Sequence, residues 1–274
     1  MLPLLASCLP ESRETLLKNL EAGLAEAFHT TPHIHSTPDT LQIRLDTPQF
    51  SQIPKFPSAG APRDANPILD LRHFLIEAPN ARFQNTPFSV ECHFEDAPLF
   101  WVPHTDTHSA LGLRNPRTGT IRIRIQPADL EKLVSTRLSE LAESQGFELQ
   151  ECALQLAPLP AEPQGTLYRA IEVQLKLKAG AFLMATTLTL SGRVRVTDDL
   201  HLAFENLSCE GKGMAASAAK VFLEPQFKRL ASQPFPIASV LPAGLPLHSA
   251  GWEFNPNPET LGLVAVIAAQ VGEQ

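Results

Sequence analysis

The stretch that decides the fold is residues 166–197, which read TLYRAIEVQLKLKAGAFLMATTLTLSGRVRVT. In its first part the odd-numbered positions are mostly apolar, and the residues between them are polar. In its second part the even-numbered positions become the apolar ones. This period-two alternation predicts two strands with one buried face each, at 166–178 and 181–197. The pair Ala179-Gly180 between them predicts a tight connection, so we expect one long antiparallel hairpin.

Strands of this length must bend around something. Strands in proteins usually have about 5–6 residues, whereas these have about twice as many or more. Further strands are expected at 147–157 and 199–208. In the first of these the apolar phase slips from Phe147 and Leu149 to Cys152, which is typical of a β-bulge that bends a sheet.

Three amphipathic helices are predicted from apolar residues that recur at helical spacing. They cover residues 12–28, 127–146 and 214–231. Ser12 is a favourable N-cap, Pro127 suits the first turn of the second helix, and Pro225 is expected to kink the third. The apolar stripe of the second helix contains Leu130, Leu133, Val134, Leu138 and Leu141.

The first half of the chain is expected to consist of shorter pieces. Twelve of the 25 prolines lie between Pro32 and Pro116, and none lies between Pro163 and Pro225. Since proline lacks the N–H that an interior strand needs, these prolines predict short strands and loops. The expected strands are 40–46, 73–78 and 87–95, with an irregular loop at 52–67 and a polar connector at 103–119. The chain is expected to end with a strand through Trp252 and Phe254 and a doubly buried strand at 261–271.

The composition excludes several classes of function. A net charge of −7 without a basic cluster argues against nucleic-acid binding. The chain has neither an apolar run long enough for a membrane helix nor a serine-hydrolase elbow. His33 and His35, and the run from His104 to His108, offer possible zinc ligands, but neither has the spacing of a known zinc motif, so no metal and no cofactor is predicted.

The N-terminus has features of a lipoprotein signal. Leu5-Ala6-Ser7-Cys8 has the small residues followed by cysteine that typify a bacterial lipoprotein cleavage site, although only seven residues precede Cys8. Cys8 is therefore a candidate lipid anchor, and the alternative is a frayed apolar start in a cytoplasmic protein. The expected division is a truncated lipoprotein signal at 1–11, a half with a helix and short strands at 12–119, and a half with long strands at 120–274.

The order of elements in residues 120–272 resembles the tubular lipid-binding (TULIP) superfamily, and specifically its bacterial secreted domains of unknown function. Three features carry the resemblance besides the hairpin 166–197. They are a strand, proline and amphipathic helix at 121–141, a helix at 211–230, and the turn Leu241-Pro242-Ala243-Gly244-Leu245-Pro246-Leu247. The resemblance implies an α+β fold with long, strongly curved antiparallel sheets wrapped around amphipathic helices, in two halves that could be related helix-plus-sheet units.

The resemblance also implies an apolar groove between helix and sheet that holds acyl chains. Each covered methylene contributes about 0.8 kcal/mol, so about ten of them are enough for micromolar binding. The candidate lining residues are Leu130, Leu133, Leu138, Leu175, Leu177, Phe182, Met184, Leu188, Val221 and Phe222. The alternative is that these residues fill a tight core.

Three basic pairs lie on predicted outward strand faces: Arg122 with Arg124, Lys176 with Lys178, and Arg193 with Arg195. If the three strands adjoin, they would form a positive band for anionic membrane head groups. The alternative is a solvated face that acidic neighbours balance.

The sequence thus leads to one main hypothesis, a non-enzymatic protein of the bacterial envelope that binds a lipid or another apolar small molecule and is lipid-anchored through Cys8. The competing hypothesis is a structural or interaction module with a filled core and no ligand.

Overall fold

The computed structural model describes residues 2–4, 10–50, 67–103, 109–144, 146–159, 167–181, 184–212, 216–240, 245–256 and 259–268. Over these residues the chain has an α+β fold of three α-helices, one 3-10 turn and mostly strands, as expected. The helices are α1 (Arg13–Phe28), α2 (Pro127–Ser144) and α3 (Ala216–Ser232), and the 3-10 turn is Ile237–Val240.

The strands fall into two sheets. Sheet A contains β1 (Leu2–Leu4), β2 (Pro32–Ser36), β3 (Thr40–Leu45), β4 (Gln49–Phe50), β5 (Leu69–Phe83), β6 (Thr86–Pro103), β7 (Ser109–Leu113), β8 (Thr118–Ile125), β14 (Leu247–Pro256) and β15 (Glu259–Ala268). Sheet B contains β9 (Glu148–Pro158), β10 (Ala170–Ala181), β11 (Met184–Val196), β12 (His201–Lys212) and β13 (Phe235–Pro236).

The chain folds into two compact units. The first contains residues up to Arg124 together with Ala238–Ser249 and the residues from Val264 onward. The second contains Ile125–Ile237 and Ala250–Leu263. The C-terminal part of the chain thus contributes to both units.

Sheet A is mixed, which differs from the antiparallel sheets that were expected. Its main order is β14-β15-β8-β6-β5-β3-β2, with β7 on β6, β1 on β7 and β4 on β5. Both β3 and β4 run parallel to β5, and the other pairings with a defined register are antiparallel. Parallel neighbours need a connection that returns to the same end of the sheet, and the periodicity of a single strand carries no information about this.

The prediction that prolines cut the first half into short strands is confirmed for β2, β3 and β4, which have two to six residues, and is wrong for β5 and β6. The hairpin partners β5 and β6 have 15 and 18 residues and are the longest strands described. Pro79 lies in a register shift between Ala78 and Ala81, where a ladder N–H is not needed. β6 pairs with β8 up to Glu95 and with β7 from Leu99 onward. Pro98 lies between these two pairings. Irregular pairing therefore accommodates these prolines within long strands.

The core of the first unit lies between α1 and sheet A. Ser12 accepts a hydrogen bond from the Thr15 amide as the N-cap, as predicted. The α1 side chains Leu16, Leu20 and Leu24 are at most 2% exposed. On the strands, the fully covered apolar side chains include Leu41, Ile43, Leu71, Leu99 and Leu111. Apolar burial on this scale is the main stabilising contribution to this unit.

Five short strands were not predicted, namely β1, β2, β4, β7 and β13. Residues Leu2–Leu4 form β1, which pairs with Leu111, Ala110 and Ser109 of β7. The strand β7 lies inside the expected polar connector at 103–119, so that prediction is wrong for 109–113. Four of its five residues are buried, and a buried run of only five residues has too little pattern to distinguish it from a loop.

Sheet B is antiparallel and curls into a half-barrel in the order β13-β12-β11-β10-β9. The predicted hairpin is present as β10 and β11, but its pairing continues through Ala179-Gly180 to the pair Ala181 and Met184, so the tight connection expected at Ala179-Gly180 is wrong. The predicted bulge in β9 is confirmed, because Glu151 pairs with Lys178 and Leu149 with Ala179, which leaves Gln150 as the extra residue. This bulge bends β9 at the position where the apolar phase slips.

The close crossing of β1 over α1 predicts a context-dependent effect of Gly23→Ala. A Cβ on Gly23 would lie 2.5 Å from the Pro3 carbonyl oxygen and 3.0 Å from the Leu4 Cα, both backbone atoms. In the full chain we expect Gly23→Ala to cost about 1–3 kcal/mol of stability, because the backbones must separate. Urea denaturation followed by circular dichroism measures this cost.

The matched background is a chain that lacks residues 1–4. There the same substitution is expected to be neutral or to stabilise by up to about 1 kcal/mol, since alanine is the better helix former. Equal destabilisation in both backgrounds would show that β1 does not rest on Gly23.

Candidate functional site

The inner face of sheet B is a continuous apolar surface within the second unit. Directly paired residues of an antiparallel sheet lie on the same face. Leu177 pairs with Cys152 and Leu188, and Leu175 pairs with Leu154 and Leu190. Further inner-face residues reached through the same registers are Leu156, Ile171, Val173, Val194, Val196, Phe204 and Cys209. These residues form the floor of what we call the trough.

One side of the trough is formed by α3, which packs on β12 and β11. Its first residue, Ala216, is buried against Gly211, where a Cβ would lie 2.6 Å from the Ala216 Cβ. Further along the helix, Leu223 and Phe227 pack on the same cluster. Because Gly211 has no side chain, α3 approaches the sheet closely at its N-terminal end.

The opposite side of the trough is formed by α2, which packs on the edge strand β9. The amide of Leu154 donates a hydrogen bond of 2.7 Å to the Glu131 carboxylate. One turn later, Ser135 lies beside Cys152, and its hydroxyl acts to lower the pKa of this thiol. Glu131 therefore satisfies a backbone donor on a sheet edge that would otherwise be open to another strand.

The two helices meet the floor at one small cluster of buried residues. This cluster contains Leu177, Leu188, Cys209 and Ala216, each 7–9% exposed. Leu138 of α2 and Leu223 and Phe227 of α3 pack against it. Beyond the cluster, the floor residues Ile171 and Val196 are buried, whereas Leu154, Leu156, Val173, Val194 and Phe204 remain partly exposed. The first unit, in contrast, has many fully covered core leucines.

Four of the ten predicted lining residues lie at the packed interface between the helices and sheet B. Leu177 and Leu188 belong to the buried cluster, and Leu138 and Leu175 pack against it. Leu130 and Leu133 are partly exposed residues of α2. Phe182 lies outside the described residues, as do the side chains of Met184 and Phe222.

Val221 differs from the expected position. Its side chain is 71% exposed, so it lies outside the packed interface between α3 and sheet B. The inward stripe of α3 runs through Ala216, Leu223 and Phe227, and Val221 is rotated away from it, as 3.6 residues per turn require. Cys8, the predicted lipid anchor, lies outside the described residues.

Several trough residues were missed by sequence reasoning, namely Leu149, Leu190, Cys209, Leu223 and Phe227. Leu190 lies on the apolar face of the predicted hairpin and Phe227 lies in the predicted third helix, so strand alternation and helical spacing could have added them. Glu131 was also missed. No sequence pattern signals a carboxylate that accepts from the backbone of another element.

Acidic neighbours balance the basic pairs on the outer faces. Arg122 and Arg124 lie in sheet A, so the three pairs do not adjoin in one band. The shortest ion pairs are Arg195–Glu205 at 2.6 Å, Lys178–Glu151 at 3.1 Å and Arg124–Glu91 at 3.3 Å. Exposed pairs of this kind contribute about 0–1 kcal/mol each.

A depression of about 380 Å³ crosses sheet B near its second register shift, between Ser191 and Arg193. Its lining combines Leu156 and Val173 with polar residues such as Glu172 and Arg193. Because this lining is about as polar as apolar, we do not assign the depression to an acyl chain.

Burial raises the pKa of each of the three described thiols. The effect is largest for Cys92 in β6, where burial and the nearby Glu91 raise the pKa to about 12. Burial also raises the pKa of Cys209 and of Cys152, and the Ser135 hydrogen bond partly offsets the effect at Cys152. Cys152 and Cys209 lie in the trough, so the reactivity of their thiols reports how accessible the trough is.

Comparisons with known proteins give no match: no protein family, no characterised protein and no solved structure is significantly similar to this chain. Within the described residues, His, Cys, Asp and Glu side chains form no group of three that could hold a metal ion. The run His104–His108 lies outside those residues. None of the described helices is long and apolar enough to cross a membrane.

The thiols are predicted to react with iodoacetamide in a defined order. In a Cys8→Ser background at pH 8, Cys152 is expected to react first and Cys92 last. The thiolate is the reactive form, and with a pKa of about 12 only about 10⁻⁴ of Cys92 is thiolate at that pH. Peptide mapping by mass spectrometry measures the order, and equal rates for Cys92 and Cys152 would contradict it.

Proposed function

We propose that the second unit binds an elongated apolar ligand, such as a lipid acyl chain, in the trough. One observation carries the proposal. The floor of sheet B and the inward stripes of α2 and α3 face each other, yet most of their apolar side chains are only partly buried. Partly exposed apolar surface of this extent marks a binding groove or an interaction site in many proteins.

The energetics favour this use of the surface. Covering apolar area contributes about 25 cal/mol per Å², which corresponds to about 0.8 kcal/mol for each methylene of a chain laid in the trough. The floor residues reached through the strand registers are all apolar, and they offer no charged group to a ligand. The proposed ligand is therefore recognised by its apolar chain, and its polar end lies towards solvent.

The proposal contains no catalytic step, because it rests on apolar contact alone. The resemblance of the element order to the TULIP superfamily and a location at the bacterial envelope belong to the same proposal. The curled sheet with a helix on each side of its inner face supports it.

The direct test is the binding of a fluorescent long-chain fatty acid to the full chain. We expect saturable binding in the micromolar range or tighter, and protection of Cys152 from iodoacetamide by the bound ligand. The informative variant is Leu190→Trp, which should fill the trough and weaken binding about tenfold or more while the chain stays folded. Thr189→Trp, on the outer face of the same strand, is the matched control and should bind like the parent.

The stability of Leu190→Trp separates the proposal from its alternative. If the interface is a filled core, the larger side chain should cost about 1–3 kcal/mol. If the trough is open, the tryptophan should cost little stability. No uptake of the fatty acid, combined with strong destabilisation by Leu190→Trp, would favour a structural module without a ligand.

The proposed lipid anchor predicts that the chain, when it is expressed in a bacterial host from a start upstream of Met1, begins at a lipidated Cys8. Intact mass spectrometry of the membrane fraction should then show the loss of residues 1–7 and the gain of acyl chains, which Cys8→Ser abolishes. Because β1 precedes Cys8, the same measurement reports whether β1 is retained in the mature chain. An unmodified N-terminus in that fraction would refute the anchor.

A further inference from the structure

We infer that α2 is the movable cover of the trough, and that a ligand enters when α2 separates from β9. This inference rests on the proposed function, because it assigns the entry route to the same site. It depends on three features of the second unit: the burial of α2, its attachment to β9, and the joint at its C-terminal end.

The two helices differ in where they are docked. None of the 18 residues of α2, all of which are described, is buried. Its stripe residues Leu130, Leu133 and Val134 are partly exposed, and Leu141 is 48% exposed. In α3 the buried contact lies at the N-terminal end, where Ala216 packs on a glycine, and most of its later described residues are exposed. Segments with few buried apolar contacts open at low cost in free energy, so α2 can leave the sheet without exposing a buried residue of its own.

The attachment of α2 to β9 is polar and local. The Leu154 amide donates to Glu131, and the Ser135 hydroxyl lies beside the Cys152 thiol. Both contacts lie on the edge of the sheet, where water can replace the partners when the helix lifts. Leu138 adds the contact with the buried cluster. α2 therefore closes the trough mainly through polar contacts, and few apolar contacts have to break when it lifts.

The C-terminal end of α2 provides a joint. Gly146 has a φ of +77°, which glycine adopts without strain, and a Cβ at this position would have no atom within 4 Å. The Gly146 amide donates to the Glu143 carbonyl and the Phe147 amide donates to the Ala142 carbonyl, and these two bonds cap the helix. The chain can therefore change direction here without moving packed neighbours.

A disulfide between α2 and β9, formed by oxidation and broken by reduction, tests the inference. Since the Ser135 side chain lies beside Cys152, Ser135→Cys should place two thiols close enough to form a disulfide on oxidation. In a Cys8→Ser background, the oxidised variant should take up the fluorescent fatty acid about tenfold more slowly or not at all, and reduction should restore the parental rate. The matched control combines Ser135→Cys with Cys152→Ser, which cannot crosslink and should be insensitive to oxidation.

The outcomes separate the cover from the binding site. Normal uptake by the crosslinked variant would overturn the cover and leave the proposed function standing. Absence of binding by the parent and the reduced variant alike would overturn the proposed function. Failure of the two cysteines to crosslink would contradict the contact on which the cover depends, and circular dichroism of both redox forms checks that the disulfide does not unfold the chain.

A second variant addresses the attachment without a crosslink. Glu131→Ala removes the acceptor for the Leu154 amide, so uptake and release should both become several-fold faster in stopped-flow measurements. Glu131→Gln keeps an acceptor oxygen and should remain close to the parent. Unchanged rates in Glu131→Ala would count against the cover.

Discussion

The structure of the second unit depends on one constraint: a long two-stranded pairing has an apolar face that must be covered. Twelve residues of β10 pair in register with β11, and the apolar residues of both strands fall on one side. Exposing this apolar face to water costs free energy in proportion to its area. The curl of sheet B, the bulge in β9 and the positions of α2 and α3 are the means by which the chain covers it.

The cover is uneven, and this unevenness gives the unit its proposed use. On one side, Gly211 lets α3 approach the sheet so closely that Ala216 is buried. On the other side, α2 is held at a strand edge by polar bonds and buries none of its residues. A helix fixed at one end by a buried contact, opposite a helix held by polar bonds at a strand edge, is the arrangement that the proposed entry route uses. The first unit differs from the second, because the leucines through which α1 packs on sheet A are fully covered.

Sequence patterns predicted the parts of the fold that depend on local periodicity. The three helices lie within two residues of their expected positions, because amphipathic stripes and caps act over one or two turns. The bulge in β9 was predicted because a phase slip in the apolar pattern has no other simple cause. The proline argument failed at Pro79 and Pro98, since a missing N–H matters only where a neighbouring strand would accept from it.

The sequence by itself determined which residues are apolar, which face of each long strand is buried, and where the sheet must bend. Only the tertiary structure decided which strands neighbour one another, that β3 and β4 run parallel to β5, and that Leu2–Leu4 complete a sheet. It also decided that Val221 is exposed and that Glu131 accepts from β9. Alternation and helical spacing are properties of one element, whereas pairing, docking and the openness of an interface depend on contacts between residues far apart in the chain.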